Sequence, residues 1–234
     1  MRSPREPEAR PFWGYQDLLM FLSFTVPGII VAFAIAKLFA LIPGVSKPLA
    51  SLIGQALWYG LIFGGLALLF RVRYDQPFWA SLGWNFPFPG IAACLIGGLP
   101  LALAIGGLGY ALHTPQIALP FDQMLIDKPT TVLFALFVVV LGPISEELAF
   151  RGFLMPLLSR SLGSLAGILI SALVFGGIHA PEYQWSWRHA LLVSLAGAVF
   201  GWVRTATRST VASTFLHATY NLTQLAAFLG QRNI

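Results

Sequence analysis

TVLFALFVVVLGPISEELAFRGFLMPLL, residues 131–158, decides how the chain is read. A run of about 20 predominantly apolar residues is enough to cross the hydrocarbon core of a bilayer as a helix. This stretch is longer than that, and its first part, from Thr131 to Leu141, carries no charge. Three ionisable residues then follow within one and a half turns: Glu146, Glu147 and Arg151. A charge at membrane depth costs about 2.5–3.5 kcal/mol on insertion scales, so each of these three needs a partner or a function.

Adjacent glutamates on a helix point about 100° apart and cannot share one task. Arg151 lies four residues after Glu147, on the same face, with the acid nearer the N-terminus, which is the favourable order for a helical ion pair. The spacing therefore predicts a structural pair, Glu147–Arg151, and leaves Glu146 to find its partner on another helix. Pro143 removes a backbone donor one turn before Glu146, and Gly142 precedes it. Together they are expected to kink the helix and admit water beside Glu146. The alternative is a buried ion network that only fixes helix register.

Outward from this stretch the chain repeats its apolar character. Six further spans are predicted: Leu18–Ile42, Leu49–Phe70, Gly90–Leu112, Leu165–His179, Ala190–Val203 and Val211–Leu229, the sixth in chain order, Ala190–Val203, being short for a bilayer. Polar connections separate them, including Arg71–Arg73, the Pro/Trp-rich segment Gln76–Pro89, and a loop from His113 to Pro129 holding Asp122, Asp127 and Lys128. Composition agrees. Hydrophobic residues make up 57% of the chain and charged ones 10%, against about 25% charged in soluble domains. Mean hydropathy is +0.76. The expected fold is all-α, a polytopic transmembrane helix bundle forming one membrane domain over 1–234, with a polar N-terminal segment at 1–17 and no second soluble domain. The first apolar run is too long for a signal-peptide core and is expected to be retained.

The net charge of +5 does not indicate nucleic-acid binding, because the basic residues lie between spans rather than in one patch. With the N-terminus cytoplasmic, the inner side holds Arg2, Arg5, Arg10, Arg71, Arg73, Arg160, Arg204 and Arg208, and the outer side Lys37, Lys47, Lys128, Arg188 and Arg232. That excess favours this orientation under the positive-inside bias. The single cysteine, Cys94, rules out an intrachain disulfide and a Cys-based metal site.

Two further spans carry polar groups that lipid would not tolerate. In LAGILISALVFGGIHAP, residues 165–181, His179 closes the helix and Phe175 lies one turn before it on the same face. The turn Ser161–Ser164 precedes this span. Glu146 and His179 are equidistant in sequence from its midpoint, so an antiparallel hairpin puts them at one depth. In VASTFLHATYNLTQLAAF, residues 211–228, Thr214, His217, Asn221 and Gln224 form a single polar stripe. Thr214 and Gln224 are read as interhelical hydrogen-bonding residues, His217 and Asn221 as functional. His113 and His189 are read as interfacial.

Glu146, His179, His217 and Asn221 are expected to converge on one cavity. Counting along straight helices puts His217 about 12 Å from its turn at Ser209, and Glu146 and His179 about 24 Å from theirs. Agreement then requires the hairpin around Ser161–Ser164 to protrude some 10 Å, or its helices to tilt or kink, and protrusion is the expectation. A carboxylate with a histidine can activate water, and a second histidine with an asparagine can donate to an oxyanion. The same side chains could instead hold a metal that acidifies the water. HExxH and GxSxG motifs are absent, and the residues do not choose between these chemistries. A transporter or a catalytically silent scaffold using the same polar interior stands as the alternative, although neither internal repeats nor paired broken helices are seen.

EELAFRGFL (146–154), FGGIH (175–179) and HATYN (217–221) resemble the EExxxR, FxxxH and HxxxN/D motifs of the CPBP (Abi) family, the CAAX-protease-like and bacteriocin-processing intramembrane endopeptidases. The resemblance covers about residues 130–230, which would be the catalytic core. It implies a bundle of about seven to eight helices around a conical polar cavity. It implies Glu146 as the base acting on water, His179 sharing that role, and His217 and Asn221 stabilising the oxyanion. Glu147, Arg151 and Phe175 would give structural support. A metalloprotease reading implies a divalent ion such as zinc held by Glu146, His179 and His217. The implied partners are the bilayer and a peptide or membrane-protein substrate, prenylated in the CAAX-type case; other routes are peptide maturation and bacteriocin immunity. In a bacterium the location would be the plasma (inner) membrane.

Overall fold

The computed structural model describes residues 11–117, 124, 125 and 128–231, and every regular element in them is helical. Asp122, Asp127, Arg232 and the arginines before Pro11, read above from the sequence, lie outside the described residues. In chain order the helices are α1 (Tyr15–Phe39), α2 (Lys47–Tyr74), the one-turn α3 (Phe78–Ser81) and α4 (Phe88–Ala111). Next comes a long helix, Lys128–Leu162, followed by α8 (Ser164–His179), a 3₁₀ turn (Ala180–Tyr183), α9 (Trp187–Thr207) and α10 (Thr210–Gly230). Among the described residues, six helices are long and apolar enough to cross a membrane. The protein is an integral, multi-pass membrane protein.

Two expected spans are revised. Apolar residues end near Val203, but α9 keeps helical geometry through Arg204–Thr207 and starts at Trp187, reaching 21 residues. It is therefore long enough to span, contrary to the expectation from the apolar run alone. The last helix, α10, is also 21 residues long but is not among the six, because its stripe of His, Asn, Thr and Gln dilutes its hydropathy.

The long helix carries the largest local surprise. It runs as α5 (Lys128–Leu136), a π-helical segment (Phe137–Leu141), α6 (Gly142–Glu147), a second π segment (Leu148–Leu154) and α7 (Met155–Leu162). Pro143 sits at the start of α6, where its missing N–H coincides with the change from π to α hydrogen bonding. The expected break is thus taken up as a wider turn: the Gly142 N–H reaches back five residues to the Phe137 carbonyl. π segments insert an extra residue and mark functional positions. These two bracket Glu146 and Glu147.

Chain neighbours pack as antiparallel pairs, α1 on α2, α7 on α8 and α8 on α9, while α4 runs alongside α10 in the same direction, Gly90 lying near Thr207 and Gly98 near Thr219. The α7–α8 turn is closed by Gly163 at φ +88°, a conformation that glycine adopts without a Cβ clash. α8 meets α9 at Gly176, where a Cβ would lie 2.4 Å from the Ala190 carbonyl oxygen. Small residues at such crossings let the backbones approach and gain dispersion contacts that lipid cannot replace. Trp13, ahead of α1, stacks on Phe70 and Phe153 and donates its indole N–H to the Phe153 carbonyl at 3.1 Å. This segment plugs one end of the bundle. That plugged end also carries Arg71, Arg73 and Arg160. Outward-facing Leu19, Ile30, Phe33, Ile96 and Leu165 are each about two-thirds exposed or more, a surface that only lipid covers without cost.

Candidate active site

Three helices bring the ionisable residues together. Glu146 Oε2 lies 3.9 Å from His179 Nε2 and 3.7 Å from His217 Nε2. The predicted convergence of these three is therefore present, despite the mismatch that straight-helix counting gave.

Each imidazole is aimed by its other nitrogen. His179 Nδ1 is 2.7 Å from the Phe175 carbonyl oxygen of its own helix. A carbonyl only accepts, so Nδ1 carries a proton and Nε2 is turned toward Glu146. His217 Nδ1 is 3.0 Å from Glu147 Oε1, so it too donates from Nδ1 and turns Nε2 toward Glu146. Such outer hydrogen bonds fix tautomer and ring orientation in catalytic centres.

Glu147 does more than the spacing suggested. Its pair with Arg151 is formed at 2.9 Å, with both side chains essentially buried. The same oxygen accepts from His217, so the pair also reaches into the site. Arg151 donates in addition to the Gly197 carbonyl at 2.7 Å and lies over the ring of Phe175 at 4.5 Å. Phe175 is buried and contacts both histidine rings, at 4.5 Å and 5.9 Å between centroids. Its expected place beside His179 is observed, and it forms the floor of the site.

Asn221 points elsewhere than expected from its stripe. Its amide donates to the Val138 carbonyl at 2.9 Å, an oxygen of the first π segment. One of its two N–H groups is therefore committed to the helix that carries Glu146. Thr214 bonds back to Thr210 within its own helix, and Gln224 is exposed and pairs with the Tyr220 hydroxyl. His113 and His189 lie outside the cluster. The His113 carbonyl accepts from Arg188, while His189 bonds Ser186 and stacks on Tyr183.

Sequence reasoning missed Phe200, whose ring stacks on His217 at 4.4 Å, and Tyr59, which stacks on Phe137 beside the site. Both sit in spans read as generic, and no local motif marks them. A groove of about 460 Å³ runs beside the catalytic helix, lined by Tyr59, Phe63, Phe78, Trp79, Ile144 and Ser145 among others. This groove is mainly apolar. Among the described residues, no three His, Cys, Asp or Glu side chains are arranged to hold a metal ion, and no step below is routed through one.

The site is thus a carboxylate and two oriented imidazoles brought together by three helices of a multi-pass membrane protein. Residues 128–223 match the family described as type II CAAX prenyl endopeptidase Rce1-like, so this part of the chain is similar to that family. Comparison with curated proteins gives no match, and comparison with solved structures gives none.

Proposed function

We propose that this chain is an intramembrane endopeptidase in which Glu146 activates the attacking water. The observation that carries the reading is the placement of Glu146 Oε2 within 3.9 Å of two imidazole Nε2 atoms. That separation is too long for a direct hydrogen bond, while one water at about 2.8 Å from each atom bridges it.

Glu146 takes a proton from this water, and His179 Nε2 accepts the water's other hydrogen bond and orients it. The hydroxide oxygen bonds to the amide carbon, and the carbonyl electrons move onto its oxygen. His217, held by Glu147 through Nδ1, turns Nε2 toward that oxyanion as a donor, and the second N–H of Asn221 is a further donor in this scheme. Preorganised donors of this kind cost no reorganisation during reaction. The C–N bond then breaks and Glu146 returns its proton to the leaving amine. Glu147 and Arg151 act as positioning residues, holding His217 through Nδ1. The substrate is a peptide within or against the bilayer, either CAAX-type or a peptide undergoing maturation.

Purified Glu146→Gln protein tests the assignment against a quenched membrane peptide. Loss of a catalytic base lowers turnover by about 10²–10⁴-fold, with thermal stability unchanged. Turnover within a factor of a few of wild type removes Glu146 from the mechanism.

A further inference from the structure

We propose that Glu182 reads the substrate beside the scissile bond, selecting a lysine or arginine about two residues away from it; the inference rests on the endopeptidase reading above.

The site is closed on one side. Toward the arginine-bearing end, Glu147, Arg151, Phe153 and Leu157 are completely or almost completely buried. Beyond them Trp13 fills the gap against Phe70 and Phe153. An extended peptide cannot reach Glu146 from there without unpacking this core.

On the opposite side the site keeps its exposure, 23% for the Glu146 side chain and 17% for that of His179. His179 is the last residue of α8, and the 3₁₀ turn Ala180–Tyr183 follows directly. Glu182 lies in this turn and is exposed. It stands within electrostatic reach of both His179 and Glu146. Tyr183 lies beside it in the same turn, so the turn forms the rim of the opening next to His179.

The turn is held rather than loose. The Trp185 N–H bonds the Ala180 carbonyl at 2.8 Å, and the Gln184 N–H bonds the Pro181 carbonyl at 3.2 Å. The Tyr183 ring stacks on His189 at 4.8 Å, 12° from parallel. Glu182 is thus a carboxylate fixed at the mouth, and among the described residues it has neither an ion pair nor a hydrogen bond. Neighbouring charges are engaged otherwise: Arg188 donates to the His113 carbonyl and lies over Trp187. An acid next to a second carboxylate repels anionic substrates and attracts cationic ones, which sets specificity more than raw affinity.

Spacing supplies the register. Three residues of a 3₁₀ turn at about 2 Å each put Glu182 about 6 Å along from His179. An extended peptide advances about 3.3 Å per residue, so this distance corresponds to two residues. The long stem of Lys or Arg gives it reach from such a position.

The test uses the full chain in detergent and a peptide that it cleaves in a Glu146-dependent manner. Variants of that peptide carry Lys, Gln or Glu singly at each of the three positions on either side of the scissile bond. Wild type is expected to prefer Lys over Glu by roughly fivefold or more in kcat/KM at one position, the size of one partly exposed ion pair. In Glu182→Gln the Lys and Glu peptides converge, through KM rather than kcat. In Glu182→Lys the preference inverts. An unaltered Lys-to-Glu ratio in both variants overturns the proposal, as does an equal loss on all peptides, which would mark a structural role. Absence of Glu146-dependent cleavage even of the Gln peptide overturns the endopeptidase reading itself, and is thereby told apart.

Discussion

Arg151→Ala separates the architecture of this site from its chemistry. The Arg151 side chain is 1% exposed and is held by Glu147, by the Gly197 carbonyl and by the face of Phe175. Truncation leaves the Glu147 carboxylate buried with only His217 as partner, since its second oxygen already lacks one. Removing one member of a buried ion pair costs about 3–5 kcal/mol in soluble proteins. At 2–4 °C per kcal/mol for a chain of this size, the expected fall in melting temperature is roughly 6–20 °C. Replacing both partners by apolar residues of similar size is often neutral or better. The double variant Glu147→Leu/Arg151→Met is therefore expected to recover most of the lost stability. It still loses peptidase activity, because His217 Nδ1 has no carboxylate to orient it. Thermal unfolding in detergent and peptide turnover, measured on the wild type, the single variant and the double variant, read the two effects separately. A single variant as stable as wild type, or a double variant that regains activity, refutes the reasoning.

Two further outcomes follow from the geometry. Gly98→Ala is expected to lower the thermal stability markedly, because a Cβ there would lie 2.4 Å from the backbone of Thr219 and Tyr220; an unchanged melting temperature would show that α4 and α10 are not in close contact. Exhaustive dialysis against a chelator tests the metal reading of Glu146, His179 and His217: turnover left intact is the outcome expected of water activated by Glu146 alone, and activity lost on dialysis and restored by a divalent ion would contradict that scheme.

The membrane class, the helical fold and the three segments that carry the site follow from sequence, because lipid forces every spanning backbone to satisfy its own hydrogen bonds and makes each ionisable residue inside a span conspicuous. The Glu147–Arg151 pair is legible for the same reason: its partners are four residues apart on one helix, and local spacing suffices. Tertiary structure decided what lies across helices. The sharing of Glu147 with His217, the commitment of Asn221 to Val138 and the plug formed by Trp13 at Phe153 join residues 70, 83 and 140 positions apart, and Phe200, although nearer to His217 in sequence, meets it from another helix. The two π segments also escaped the sequence. An apolar run reads alike in α and π geometry, and the wider turns are stabilised by side chains from other helices, Asn221 at Val138 and Trp13 at Phe153. Periodicity reports which face of a helix is polar; it carries no information on which neighbour that face meets, and that is set by the packing of all the helices at once.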